Sequence, residues 1–242
     1  MVRSSTIGRV SELAVDQWGL LTRQQAEQAG VPQSTFDRLV ADESIIERVA
    51  HGVYHLAGAP PPDHLDLRAA WLQLAPDTPA WERTRDQGVV SHRSAAALYG
   101  LGDLPADTHE FTLPRRRQTR RPDVRFHRRQ LDSDECIQLK GLPVTRPSRI
   151  ASDLLADHED PEAVANLMAD AIRDVYDYPA TFAETLAPQA ARFGLRRGDG
   201  LALLRWLLGL VGDPDAGDWI EEARQSLAEG SPGARPYGGM DA

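Results

Sequence analysis

Residues 21–56 read LTRQQAEQAGVPQSTFDRLVADESIIERVAHGVYHL, and this run decides the fold of the chain's first quarter. Thr22 is a good helix N-cap, and Gln25 stands three positions on, in capping-box register. Ala26 and Ala29 give the short helix a small apolar seam, and Gly30 ends it as a C′ residue would. Val31-Pro32 restarts the chain, since proline pre-sets φ and is tolerated in a first helical turn. Phe36, Leu39 and Val40 fall at i, i+3, i+4, one buried face of a second short helix. Gln33, Ser34, Thr35 and Arg38 are left on or near the open face. Two helices joined by a short turn containing glycine form a helix-turn-helix.

Downstream, Ile45, Ile46, Val49, Val53, Tyr54 and Leu56 are strand formers interrupted by His51-Gly52, a tight turn. A hairpin directly after the second helix makes the unit a winged helix-turn-helix. Such a unit sets its second helix in the major groove and its hairpin against the backbone or the adjacent minor groove. The alternative is a small helical domain that only packs on another element. Upstream, Ile7, Val10, Leu13/Ala14 and Trp18 predict a supporting helix over 4–18, capped by Ser4 or Ser5, with Trp18 in the core. Gly58-Ala-Pro-Pro-Pro-Asp63 reads as a semi-rigid spacer and sets the first domain boundary.

Beyond the spacer, His64–Ala75 predicts an amphipathic helix with Leu67, Trp71 and Leu74 on one stripe. Val89-Val90 closes a short strand, and Ser91 caps a helix ending at Gly100 or Gly102. HEFTLP from His109 and DVRFHRRQL from Asp123 read as strands. Between and within them lie Arg115, Arg116, Arg117, Arg120, Arg121, Arg125, Arg128 and Arg129, against a single aspartate. Arginine favours phosphate forks, so this segment is expected to touch nucleic-acid phosphate; its alternative is a solvated loop neutralised by acidic parts of the same chain. Leu142 and Val144, with Ile137/Leu139, form a strand pair around Gly141. Thr145 or Ser148 starts a helix, on which Asp153 reads as an ordinary solvated or ion-paired carboxylate. Pro161 opens a helix carrying Val164, Leu167, Met168, Ala171, Ile172 and Val175. Thr181–Phe193 and Gly200–Val211 give two more, the latter leucine-rich and read as core. From Gly212 acid, glycine and proline accumulate, and the end of the chain is expected to be disordered.

GLLTRQQAEQAGVPQSTFDRLVADESIIERVAHGVYHLAG resembles the N-terminal winged helix of the AbiEi antitoxins of bacterial type IV toxin–antitoxin pairs. VVSHRSAAALYGL, LPRRRQTRRPDVRFHRRQL and GLPVTRPSRIASDLL resemble the second domain of the same proteins, so the likeness covers about residues 15–210. The resemblance implies a DNA-binding repressor that binds repeats in its own promoter and counteracts a nucleotidyltransferase-like toxin encoded beside it.

Composition sets bounds on this. Of 242 residues 41% are hydrophobic and 26% charged, ordinary for a soluble globular protein. One cysteine, Cys136, excludes an internal disulfide and favours a reducing compartment. No apolar run is long enough to span a membrane, and the first residues lack the apolar core of a secretory signal; the expectation is cytoplasmic. A net charge of −9 argues against nucleic acid until its distribution is read. Residues 111–149 carry eleven Lys/Arg against four Asp/Glu, whereas 150–242 carry seven against seventeen. Such asymmetry points to a nucleic-acid partner.

The fold class is therefore α+β: a winged helix-turn-helix over 1–58, a mixed α/β domain with the arginine-rich loop over 64–156, a helical region over 157–227, and a disordered tail over 228–242. Gln33, Ser34 and Thr35 are the expected base readers, having donors and acceptors for base edges. Arg38 reads guanine or holds phosphate, and Thr22, Arg23, Arg48, His51 and Tyr54 are expected at the backbone, with Arg115, Arg116, Arg117, Arg120 and Arg121 as a second clamp. The acids Asp37, Asp42, Glu43 and Glu47 near the second helix weaken non-specific affinity of the winged unit. The partners expected are double-stranded DNA and a cognate toxin. A protein-interaction module acting on a basic toxin, or an orphan winged-helix regulator, are the other readings.

No catalytic chemistry is expected. A nuclease of the PD-(D/E)xK type needs a lysine beside its carboxylates, and Lys140 is the only lysine. His92, between Ser91 and Ser94, has no nucleophile motif to serve. The seven histidines are scattered and Cys136 is alone, so neither metal nor cofactor is implied.

Overall fold

The computed structural model describes residues 2–42 and 44–230, with side chains from Thr6 onward. Helix α1, Val2–Val15, comes first. Ser4 and Ser5 lie inside it and do not cap it, and it stops short of Trp18, whose φ of 58° and the Gly19 φ of 76° turn the chain away. Strand β1, Leu20–Thr22, then leads into α2, Arg23–Gln28, and α3, Gln33–Ala41. The hairpin follows as β2, Ile46–Ala50, and β3, Val53–Leu56, turning at His51-Gly52. Strand β1 lies antiparallel along β3, so the wing is a three-stranded sheet ordered β1-β3-β2. Three residues ending in a helix cap carry no strand signal of their own, which is why β1 escapes a reading by pattern.

The winged core is small and continuous. Val10 and Ala14 of α1, Leu21, Ala26, Val31, Phe36, Leu39, Ile46 and Tyr54 are buried against one another. The capping box at Thr22 forms as the spacing requires: its hydroxyl accepts from Gln25 N at 3.1 Å, and Gln25 Oε1 accepts from Thr22 N at 2.9 Å.

Helix α4, Leu65–Leu72, differs from the expected amphipathic stripe, because every residue from Leu67 to Leu72 is buried. Its polar member, Arg68, donates to the Asp63 carbonyl at 2.8 Å and lies 4.2 Å over the Trp18 ring. Burial lowers the Arg68 pKa to about 10, which leaves it charged at neutral pH. Strand β4, Val89–Val90, pairs antiparallel with β5, His109–Leu113, and β6, Val124–Arg128, runs beside β5.

Two compact units emerge: Met1–Val90 with Phe111–Gln130, and Ser91–Glu110 with Leu131–Ala242. These differ from the domains expected from the proline spacer, since α4 and the arginine-rich segment belong with the winged helix. Polar bonds explain this. Gln17 and Gln25 exchange amide bonds of 2.9 and 3.1 Å, Gln25 Nε2 donates to Thr78 O at 3.1 Å, and Ala80 N donates to Gln17 Oε1 at 2.9 Å. The Thr22 hydroxyl donates to the Pro76 carbonyl, and Trp18 meets Trp71 edge-on at 6.0 Å. Arg83 closes the end of α4. Its guanidinium donates to the carbonyls of Trp71, Leu72, Ala75 and Thr78 and stacks 4.3 Å from the Trp71 ring. A helix C-terminus leaves carbonyls without partners, and a cation there also opposes the helix dipole.

The second unit begins with α5, His92–Tyr99, ended by Gly100 in the left-handed region. Ser91 occupies the N-cap position without a side-chain cap bond. Strands β7, Cys136–Leu139, and β8, Leu142–Thr145, form an antiparallel hairpin over Lys140-Gly141, both at positive φ. Five helices follow: α6, Pro147–Ala156; α7, Pro161–Arg173; α8, Pro179–Leu186; α9, Gly200–Val211; and α10, Ala216–Glu229. The single helix expected over Thr181–Phe193 is instead α8 and a 3-10 segment, Ala187–Phe193, since Pro188 has no N–H for an α-helical bond. Asp153 is ion-paired with Arg149 inside α6. Phe182, Leu186, Leu203, Leu204, Leu207 and Leu208 are buried where α8 and α9 meet. Gly200 is required there, because a Cβ would overlap the Ala183 carbonyl. Of the expected tail, 228 and 229 end α10, and 231–242 lie outside the described residues.

Candidate nucleic-acid interface

The exposed side of the winged unit is built on α3. Phe36 and Leu39 hold the helix to the core, Phe36 meeting Tyr54 edge-on at 4.9 Å. The opposite face presents Gln33, Ser34, Asp37 and Arg38, all exposed, with Thr35 half-buried. The side chains of Gln33 and Ser34 make no hydrogen bond among the described residues, and Arg38 Nη2 donates to Thr35 Oγ1 at 3.2 Å. Four polar side chains on the first two turns of a second helix, with a hairpin beside it, are the arrangement that enters a major groove.

The wing carries Arg48 and His51, both exposed, with Arg48 Nη2 3.2 Å from His51 Nδ1. Arg23 opens α2. Its Nη2 is paired with Asp37 at 2.6 Å and lies 3.4 Å from the Tyr54 hydroxyl, and the bonds to Tyr54 and then Asp37 raise its pKa above the ordinary arginine value. Two expected backbone contacts are placed elsewhere. Thr22 has no exposed surface, its hydroxyl being taken up by Gln25 N and the Pro76 carbonyl. Tyr54 is 4% exposed, and its hydroxyl faces Arg23. Both shape the interface from behind it.

The arginine-rich segment belongs to the same compact unit. Residues 114–123 connect β5 to β6 without regular structure. Arg115, Arg116 and Arg120 are exposed and have no bonded partner among the described residues. Arg117 is held, donating to Leu74 O at 2.6 Å and lying 5.6 Å from the Phe126 ring centre. Arg121 is half-buried, forked onto Asp123 and bonded to Gln73 Oε1; the Asp123 bond raises its pKa.

Gln73, just past α4, is a link that no sequence pattern announces. Its Nε2 donates to the His51 carbonyl at 2.7 Å while its Oε1 accepts from Arg121. The wing turn and the arginine segment are thereby tied to one side chain.

In the second unit His92 is buried at φ 53°, with Nδ1 3.0 Å from Ser91 Oγ. Asp177 is buried with its oxygens accepting from Ser148 N at 3.0 Å and Tyr178 N at 3.1 Å. Burial raises its pKa against the opposing pull of those bonds.

A helix-turn-helix with a polar second helix and a three-stranded wing defines the winged-helix class of regulators. Comparison with known families then narrows it. Residues 9–57 match the family described as transcriptional regulator, AbiEi antitoxin, and residues 88–193 match the AbiEi antitoxin C-terminal domain. The chain belongs to the AbiEi antitoxin family and has the DNA-binding regulator domain of that family at its front. The matched segments omit 58–87 and end before α9, a narrower span than the likeness read from the sequence. Comparison with individually curated proteins gives no match. No helix among the described residues is long and apolar enough to cross a membrane.

Proposed function

We propose that this antitoxin represses its own promoter and counteracts a nucleotidyltransferase-like toxin encoded beside it. Helix α3 enters the major groove, where Gln33, Ser34, Thr35 and Arg38 read base edges. Arg23, Arg48 and His51 meet the flanking backbone, and Arg115, Arg116 and Arg120 hold phosphate as a second clamp. The observation that carries this reading is the exposed first turn of α3, whose Gln33 and Ser34 side chains are bonded to nothing among the described residues. An arginine segment in the same compact unit compensates for the acids near α3, since phosphate contacts supply sequence-independent affinity.

The test is a salt-titrated fluorescence anisotropy assay on the protein's own upstream DNA against scrambled duplex. Gln33→Ala/Arg38→Ala should lose the preference for the promoter by about tenfold or more, as expected when base contacts go. Arg115→Ala/Arg116→Ala/Arg120→Ala should weaken both duplexes alike and lower the salt slope by about two to three. A wild-type protein with no preference for its own promoter would defeat autoregulation. Co-expression with the product of the neighbouring gene tests the toxin arm: growth arrest that this chain fails to relieve would remove it.

A further inference from the structure

Asp37 is the only acid within α3, and it is exposed one turn beyond Gln33 and Ser34. A carboxylate on this face repels the phosphates of every duplex alike unless it gains something from the bases.

Its carboxylate is held in place. Oδ1 accepts from Arg23 Nη2 at 2.6 Å. The Arg23 guanidinium lies 5.4 Å from the Phe36 ring centre and 6.0 Å from that of Tyr54, both buried rings of the winged core. One arginine at the start of α2 thus ties the acid of α3 to the core beneath it and to strand β3 of the wing. Oδ2 is bonded to nothing among the described residues, and the neighbouring Arg38 turns to Thr35 rather than to Asp37. Beside Gln33 and Ser34, α3 therefore offers a fixed anionic acceptor with an open oxygen.

Base edges differ in what they do with such an acceptor. In the major groove cytosine presents a donor, its N4 amino group. Guanine presents N7 and O6, and thymine O4, all of them acceptors, while adenine sets its N6 donor beside the N7 acceptor. A carboxylate oxygen finds a donor at cytosine. Against guanine or thymine it is stripped of water with nothing to bind, so the same group that attracts one base rejects the others.

We infer that Asp37 is a specificity-determining residue for the DNA this chain binds: Oδ2 accepts from a cytosine N4 amino group in the major groove, and Arg23, as a positioning residue, holds the carboxylate for it. This rests on the repressor reading above and narrows it, since one position of the operator must then carry a cytosine. The pair itself lies at the surface, with side-chain exposures of 36% and 49%, and contributes little to stability, so Asp37 can be replaced without loss of the fold.

The experiment is selection from a randomised duplex library by the full-length chain, followed by anisotropy on the selected duplex with each base placed in turn at every position. Wild type should demand cytosine at one position, by about tenfold over guanine or thymine. Asp37→Asn should turn that position to adenine, whose N6 and N7 a carboxamide bonds with its oxygen and its amino group. Asp37→Ala should lose the preference at that position alone and bind scrambled duplex more tightly, having shed a charge that repels phosphate. Arg23→Met should relax the same position without turning it to another base. If Asp37→Asn and Asp37→Ala leave every base preference unchanged and alter all duplexes by one factor, the assignment is overturned: Asp37 is then only a repelling charge, and the repressor reading stands. A wild type that selects no sequence defeats that reading itself, and the assignment with it. Thermal melts check that each variant folds.

Discussion

The two compact units are consolidated by different forces. In the second, α7, α8 and α9 pack through buried Val164, Leu167, Met168, Phe182, Leu203 and Leu207, a cohesion proportional to the apolar area removed from water. The first has a small apolar core under α3 and a buried α4, and α4 and the 76–83 segment are fastened further by side chains reaching backbone groups: Arg83 to four carbonyls, Gln25 to Thr78, Gln17 to Ala80. Apolar packing tolerates small shifts, whereas a donor aimed at a carbonyl does not. The unit that must hold α3, the wing and the arginine segment in register adds these directional bonds to its apolar packing.

Three substitutions would break or sharpen this contrast. Phe182→Ala removes a side chain with no exposed surface and should cost about 4 kcal/mol, read as loss of hydrogen-exchange protection across α8 and α9 with little change in α2 and α3. A loss of protection confined to the winged unit would refute the division. Arg83→Met keeps the bulk against Trp71 but takes the guanidinium from four carbonyls, of which those of Trp71, Ala75 and Thr78 keep a second donor, and should cost about 2 kcal/mol, with exchange rising in α4 and the segment after it. A neutral outcome would mean that solvent replaces those bonds and that directional fastening is not what holds the unit. The smallest effect is a slope. Burial raises the Asp177 pKa above its ordinary 3.8, so folding favours the protonated form. The resulting stability is present at the acid end and is lost as pH rises through the raised pKa. In denaturant titrations Asp177→Asn should therefore lose less stability than wild type between mild acid and neutrality; parallel pH curves would contradict this.

The winged helix was legible because its signals are local. Thr22 and Gln25 three apart, Gly30 after the last helical residue, and Phe36 and Leu39 at helical spacing each act within a few residues. The open face of α3 followed from that spacing, so Gln33, Ser34 and Arg38 were placed on the surface by counting alone. Thr22 and Tyr54 show where counting stops: both have hydroxyls suited to a backbone contact, yet Thr22 gives its hydroxyl to the Pro76 carbonyl, while Tyr54 is buried with its ring against Phe36 and its hydroxyl facing Arg23. The fastening of α4 was not legible, since a glutamine or arginine aimed at a carbonyl leaves no periodicity. The same holds for Gln73, 22 residues from the His51 carbonyl it binds. Helix α10 lies mostly within the helical region read over 157–227, but its acid and glycine content, with Ala223 its single buried residue, gave no stripe from which to mark it as a separate helix.

The first unit is assembled from two stretches of chain, with residues 91–110 belonging to the other unit in between. During synthesis the winged helix can close on its own core early, but the unit is complete only once Gln130 has emerged. A truncation after the proline spacer would take Ala80 from Gln17, Thr78 from Gln25 and Trp71 from Trp18, and would remove the arginines together with α4. Grafting the front end of one relative onto the back of another thus has no clean joint at residue 58. The exchange would have to carry 1–90 and 111–130 together.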